Sequence, residues 1–199
     1  MDISAKDVMA LRKKTGAGMM DCKKAIKDAE GDMDKAADIL REKGIASAAK
    51  RAERATNQGY IAVYVHPGSK LAAMVELDSE TDFVSRNDEF QEFANNLAMH
   101  VAAAGPLAMT ADDLDQDVVA KEKEIFKAQA LNDGKKPEFV DKIVEGRIKK
   151  FYAESCLMDQ IYIRDETKKL TVNDLLNNLI AKIGENIVIK RFSRFQVGA

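Results

Sequence analysis

The stretch Gly59-Tyr-Ile-Ala-Val-Tyr-Val-His-Pro-Gly-Ser-Lys-Leu-Ala-Ala-Met-Val-Glu-Leu77 decides the fold. Its first run, Tyr60–Val65, is apolar, aromatic and β-branched, which suits a pleated, half-buried surface. His66-Pro-Gly-Ser-Lys70 turns the chain, and Leu71–Leu77 returns as a second apolar run. The two runs predict an antiparallel hairpin. A final strand is predicted over Asn186–Phe195, where Ile187, Ile189, Arg191, Ser193 and Phe195 alternate with Val188, Lys190, Phe192 and Arg194.

Helical periodicity surrounds these strands. Residues 1–55 predict three short amphipathic helices. The first opens at Ser4, with Asp7 in capping-box spacing, and ends before Thr15-Gly16-Ala17-Gly18. The second carries Met19, Cys22, Ile26 and Ala29 as a narrow stripe and stops at Gly31. Asp32 caps the third, whose inner face is Met33, Ala36, Ala37 and Leu40 before Gly44, and Ile45–Thr56 reads as a helical connector. Helices this short must share one mini-core. After Thr81 one helix is predicted to run to Gly105-Pro106, with Phe90, Phe93, Leu97 and Val101 on one side. Two more helices follow near 113–131 and 137–155, then a short strand near 157–163 and a helix near 171–183. Strands segregated from helices give an α+β fold, an N-terminal bundle at 1–55 and a core domain at 56–199 built on an antiparallel three-stranded sheet.

Composition narrows the function. With 199 residues and 46% hydrophobic content the chain can bury a medium core. Lys+Arg 31 nearly cancels Asp+Glu 33, whereas a protein that lives on phosphate contacts carries a basic excess. A protein partner is expected and direct nucleic-acid binding is not. The N-terminal MDISAKDVMALRKK is too charged for a signal peptide, and no apolar run reaches membrane-spanning length. Cys22 and Cys156 alone give no disulfide framework and suit a reducing cytoplasm. Two His and two Cys so scattered make no metal site, and no Gly-x-x-x-x-Gly-Lys-Ser/Thr marks an NTPase. Neither metal, nor cofactor, nor catalytic residue is expected. The chain reads as a binding protein.

Three segments then carry a resemblance. Thr15-Gly-Ala-Gly-Met-Met-Asp-Cys-Lys-Lys-Ala25 resembles the N-terminal signature of the elongation factor Ts family. Val75-Glu-Leu-Asp-Ser-Glu-Thr-Asp-Phe-Val84 is similar to its exchange motif, and Ala181-Lys-Ile-Gly-Glu-Asn-Ile187, with the strand ending Arg194-Phe195, to its C-terminal segment. The three stand in the family's order and span essentially the whole chain. The resemblance implies a ubiquitin-associated-like bundle at 1–55 and a single core of the short form of the family. It also implies exchange of guanine nucleotide on elongation factor Tu, by disturbing the site that holds Mg²⁺ and phosphate, and assembly as a homodimer. Asp78-Ser79 departs from a common Asn-Cys, Ser85 from a frequent Ala, and Ser193 stands where some short members have Cys. Serine forms no disulfide, so the dimer is expected to be non-covalent.

Read by themselves, Thr81, Asp82, Phe83 and Val84 suit a helix start, with Phe83 stapling the helix onto the sheet and Asp82 capping it. The resemblance makes them the element that dislocates the partner's Mg²⁺. Likewise His100 beside an apolar stripe reads as a core-edge histidine, and the resemblance makes it a partner contact. Met20 completes a mini-core or faces a partner, and Lys23 is solvated or pairs with a carboxylate. The resemblance assigns Leu11, Met19, Met20 and Lys23 to the partner's GTPase domain. Without it, a peptide- or ubiquitin-like-binding adaptor built on the N-terminal bundle stays open.

Overall fold

A computed structural model describes residues 3–198. Three helices come first: α1 (Ala5–Thr15), α2 (Met19–Asp28) and α3 (Met33–Ala49). Ser4 caps α1 as its spacing predicts, the Oγ accepting from the Asp7 amide at 3.1 Å and donating to the Asp7 carboxylate at 2.7 Å. Gly16 closes α1 at φ +70° and donates to the Arg12 carbonyl, a left-handed position where a Cβ is penalised. Val8, Leu11, Cys22, Ile26, Ala36 and Leu40 close over one another as the shared mini-core.

The stop expected at Gly44 does not occur, and α3 runs on to Ala49. A Cβ at position 44 would lie 3.2 Å from Asn178 Oδ1. This glycine admits a neighbour and does not end a helix.

The hairpin and the final strand form one antiparallel sheet in the order β1 (Gln58–Val65), β2 (Leu71–Ser79), β3 (Ile187–Gln196). Ala62, Ala73, Val75 and Leu77 lie fully buried on its inner face. The register shifts between Glu76 and Leu77, whose β3 partners are Arg191 and Ile189, so Lys190 is surplus. Such a bulge reverses the alternation beyond it. Ile187 and Ile189 share the inner face with Phe192 and Arg194, not with Arg191, Ser193 and Phe195 as simple alternation predicts. Arg194 turns in because its Nε donates to the Ala102 carbonyl at 2.9 Å.

The single helix predicted after Thr81 is two: α4 (Asp82–Ser85) and α5 (Asp88–Ala104). Asn87 separates them, its Oδ1 accepting from the Glu89 amide at 2.9 Å and starting α5 afresh. Phe90, Ala94, Leu97 and Val101 of α5 are buried, with Leu176, Leu179 and Ile180 of α8 (Val172–Ile183). The described residues up to Ala102, with those from Asn173 onward, make one compact unit.

Ala103–Val172 make the second. Its helices α6 (Gln116–Asn132) and α7 (Pro137–Ser155) form a hairpin, and Ala108, Leu114, Val119 and Cys156 cluster in a small core. Arg147 donates to Gln129 Oε1 at 2.9 Å and lies 6.0 Å from the Phe126 ring centre. The strand predicted near 157–163 is not formed; one bridge pairs Ile161 with Thr171. The cause is Asp165, whose carboxylate accepts the amides of Thr167, Lys169 and Leu170 at 3.1, 2.8 and 2.8 Å. That knot curls the segment before a ladder can grow. Among the described residues no helix is long and apolar enough to cross a membrane.

Candidate partner-binding site

Strand β2 ends at Ser79, and the chain leaves the sheet through Glu80 and Thr81 into α4. Four residues make barely one helical turn, which cannot hold itself. It is fastened from outside. Glu185 Oε2 accepts the Thr81 amide at 3.1 Å, and Glu185 Oε1 accepts the Thr81 hydroxyl at 2.7 Å. The buried Ser79 hydroxyl donates to the Thr81 carbonyl at 2.9 Å. Glu80 Oε1 accepts from the Asn186 amide at 2.6 Å and from Arg54 at 3.3 Å. Ser85 Oγ donates to the Asp82 carbonyl, and Gln91 Nε2 to that of Ser85, both at 3.0 Å. Two segments that the sequence presents separately, Val75–Val84 and Ala181–Ile187, are therefore one piece of structure.

On this base Phe83 is 84% exposed. It does not staple α5 to the sheet, although a ring that size gains from burial. Asp82 is partly exposed and pairs with Arg86 at 2.9 Å; Val84 is half-buried beneath the tip. An exposed aromatic beside a carboxylate, on a backbone held at both ends, is a rigid protrusion.

The N-terminal bundle offers a second surface. Gly18 starts α2, and its first turn projects Met19 and Met20, 55% and 77% exposed, with Lys23 exposed one turn on. Unbranched, polarizable methionines adapt to a partner. Leu11 and His100 turn inward instead, each 0% exposed. Leu11 belongs to the mini-core with Val8, and His100 lies among the buried residues of α5 beside Val101. The apolar spacing around both positions signals burial. Burial also pushes the thiols of Cys22 and Cys156 up, so neither is a ready nucleophile. Sequence reasoning missed Glu185 and Asn186 as the fastening residues, because nothing near 185 names a partner near 81.

Known proteins match this chain throughout. The sequence profile of the family described as Elongation factor TS matches residues 5–171. The chain belongs to the elongation factor Ts family. It is 57% identical over 196 residues to Elongation factor Ts of Thermoanaerobacter sp. (strain X514), covering 98% of this chain and 95% of the relative. With Elongation factor Ts of Nitratidesulfovibrio vulgaris (strain DSM 19637 / Miyazaki F) it shares 52% over 199 residues, 100% of this chain and 98% of the relative. The Desulfotalea psychrophila protein of the same name is also 52% identical, over 199 residues and the full length of both chains. Membership places the chain among translation elongation factors.

Proposed function

We propose that this chain is a guanine-nucleotide exchange factor acting on elongation factor Tu in the cytoplasm. It binds the GDP-bound partner, disturbs the partner's Mg²⁺ and phosphate site, and promotes GDP release so that GTP can bind. The observation that carries this reading is Phe83, exposed on a helix of one turn that Glu185 fastens at its base.

Exchange needs a wedge and no general acid, base or nucleophile, so the chain is not itself an enzyme and uses no cofactor. The partner's nucleotide is held by phosphate-cradling backbone amides and a metal ion that screens the phosphate charges. Insertion of Phe83 into a crevice of the partner supplies about 1.5–3 kcal/mol by burial. Asp82, brought to a helix N-terminus of the partner, adds about 0.3–1 kcal/mol and draws that helix away from the metal. Thr81 and Val84 hold the wedge at its root. Residues 1–55 act as a second contact module, Met19, Met20 and Lys23 meeting the GTPase domain while Leu11 shapes that surface from beneath. His100 likewise supports the core from inside.

The outer face of the sheet supports a non-covalent homodimer of the core domain, 56–199. Ile61, Val63 and Val65 of β1, Met74 of β2 and Phe195 of β3 are exposed there. The register sets them in rows, Val65–Ala72–Phe195 beside Val63–Met74–Ser193. An apolar sheet face of this kind seeks a cover, and a second copy supplies the same face.

The decisive experiment loads elongation factor Tu with fluorescent GDP and adds a substoichiometric amount of this protein. Release accelerates over many turnovers if the reading holds. Binding without acceleration identifies an adaptor and overturns it.

A further inference from the structure

We propose that Arg41 and Asp174 form a positioning latch that holds the N-terminal bundle in fixed register with the Phe83 wedge, a role that rests on the exchange reading above.

Asp174 lies in the first turn of α8 and is only 4% exposed, while Arg41 projects from α3 with its side chain 57% exposed. Arg41 Nε donates to Asp174 Oδ1 at 2.7 Å. A carboxylate so buried stays ionised only beside a compensating group, and the start of a helix favours it further. The bundle's own core closes through Val8, Leu11, Cys22, Ile26 and Leu40, so the pair is not needed to fold it. The latch instead joins the bundle to α8. The same seam carries three further links. Gly44 of α3 makes close room for Asn178 of α8. Arg51 Nε donates to the Gly184 carbonyl at 2.9 Å, and Asn186 Nδ2 to the Arg54 carbonyl at 2.8 Å.

The segment from Asp174 to Asn186 therefore has two clients. Its start and its end grip the bundle, and Glu185 grips Thr81 at the root of the wedge. The helical part between them is a strut of about 14 Å. Two contact surfaces on such a strut meet a partner together. Once either is loosened, the second contact forms at a lower effective concentration and the encounter weakens, while the chemistry of dislocation at Phe83 is untouched.

The test uses the full chain and elongation factor Tu loaded with fluorescent GDP. Arg41→Met with Asp174→Asn removes the pair without stranding a buried charge. The expected result is a KM for the GDP-bound partner raised about tenfold with kcat within twofold, and an unchanged melting temperature. Arg41→Lys, which keeps the charge but loses the guanidinium geometry, falls between. Gly44→Cys with Asn178→Cys, added to the double variant, restores the parental KM when oxidised and loses it when reduced. A folded double variant with the parental KM overturns the latch, and so does a raised KM that oxidation leaves unrestored. If the parent protein itself fails to accelerate release, the exchange reading falls and the latch with it, which the parental control distinguishes.

Discussion

The carboxylate of Glu185 receives both the amide and the hydroxyl of Thr81, at 3.1 and 2.7 Å, from 104 positions further along the chain. Hydrogen bonds to a charged acceptor are the stronger kind, and here a single side chain makes two of them to one residue. Glu185→Gln offers one oxygen and an unwanted amide donor in place of the second. It is expected to cost about 1–3 kcal/mol of stability and to slow GDP release by more than that loss of folded protein explains. Urea unfolding and release kinetics on the same sample check this. Parental kinetics from a destabilised variant would separate the fastening from the function.

Phe83→Ala tests the wedge itself. The ring is exposed, so its removal is expected to change stability by less than about 0.5 kcal/mol while slowing GDP release severalfold. A buried staple would have cost about 3–5 kcal/mol, and a fall of that size would show that the ring packs in solution.

Asp82→Ala addresses the metal. The deficit in release is expected when Mg²⁺ is present and to vanish when it is chelated, because the nucleotide is then already loosened. An equal deficit under both conditions removes Asp82 from the dislocation step and leaves the exchange assignment standing.

The outer sheet face gives a prediction in sedimentation. Val63→Lys or Phe195→Lys puts a charge amid Ile61, Val65 and Met74, where a second copy would have to desolvate it. Each is expected to convert a dimer to the 22.0 kDa monomer without unfolding it. A parent that already sediments as a monomer at micromolar concentration refutes the interface.

Asp165 supplies a pH dependence. Burial raises its pKa, but the bonds from Leu170, Lys169 and Thr167 outweigh this and hold the carboxyl below its ordinary value. A carboxyl whose folded pKa lies below its unfolded one stabilises fully above the unfolded value and ceases to as pH falls through the folded one. Asp165→Asn is therefore expected to be less stable than the parent at neutral pH. The gap should close in acid, below the usual aspartate value of about 3.9. A gap constant from neutral pH to below 3 would refute it.

What could be read from the sequence follows the range of each interaction. The three N-terminal helices, the hairpin and the last strand announce themselves through period and punctuation, which are local. Gly44 misled because glycine makes close approaches as well as stops, and the close approach involves Asn178. Ile161 and Ile163 mimic strand alternation, but Asp165 takes the neighbouring amides. The surplus Lys190 leaves no mark in a run that alternates acceptably either way. At the site, Met20 and Lys23 were legible as candidates off the apolar stripe of their helix, whereas Phe83 read as a staple and became a candidate only through the family resemblance. Leu11 and His100 carried a signal of burial in their own spacing. Glu185 carried none, since its partner is remote in sequence.

The bulge at Lys190 makes strand β3 sensitive to parity. Deleting that residue would leave a strand of respectable β-propensity, and its hydrogen bonds could still be made. Arg191 would then follow Ile189 directly and still lie opposite Glu76, so Phe192 and Arg194 would keep the inner face and Arg191 and Ser193 the outer one. Losing Lys190 alone thus spares the faces, whereas losing Arg191 with it would turn Phe192 and Arg194 outward. Length variation here is absorbed as the gain or loss of the bulge itself, and the odd residue marks the place where the strand can give.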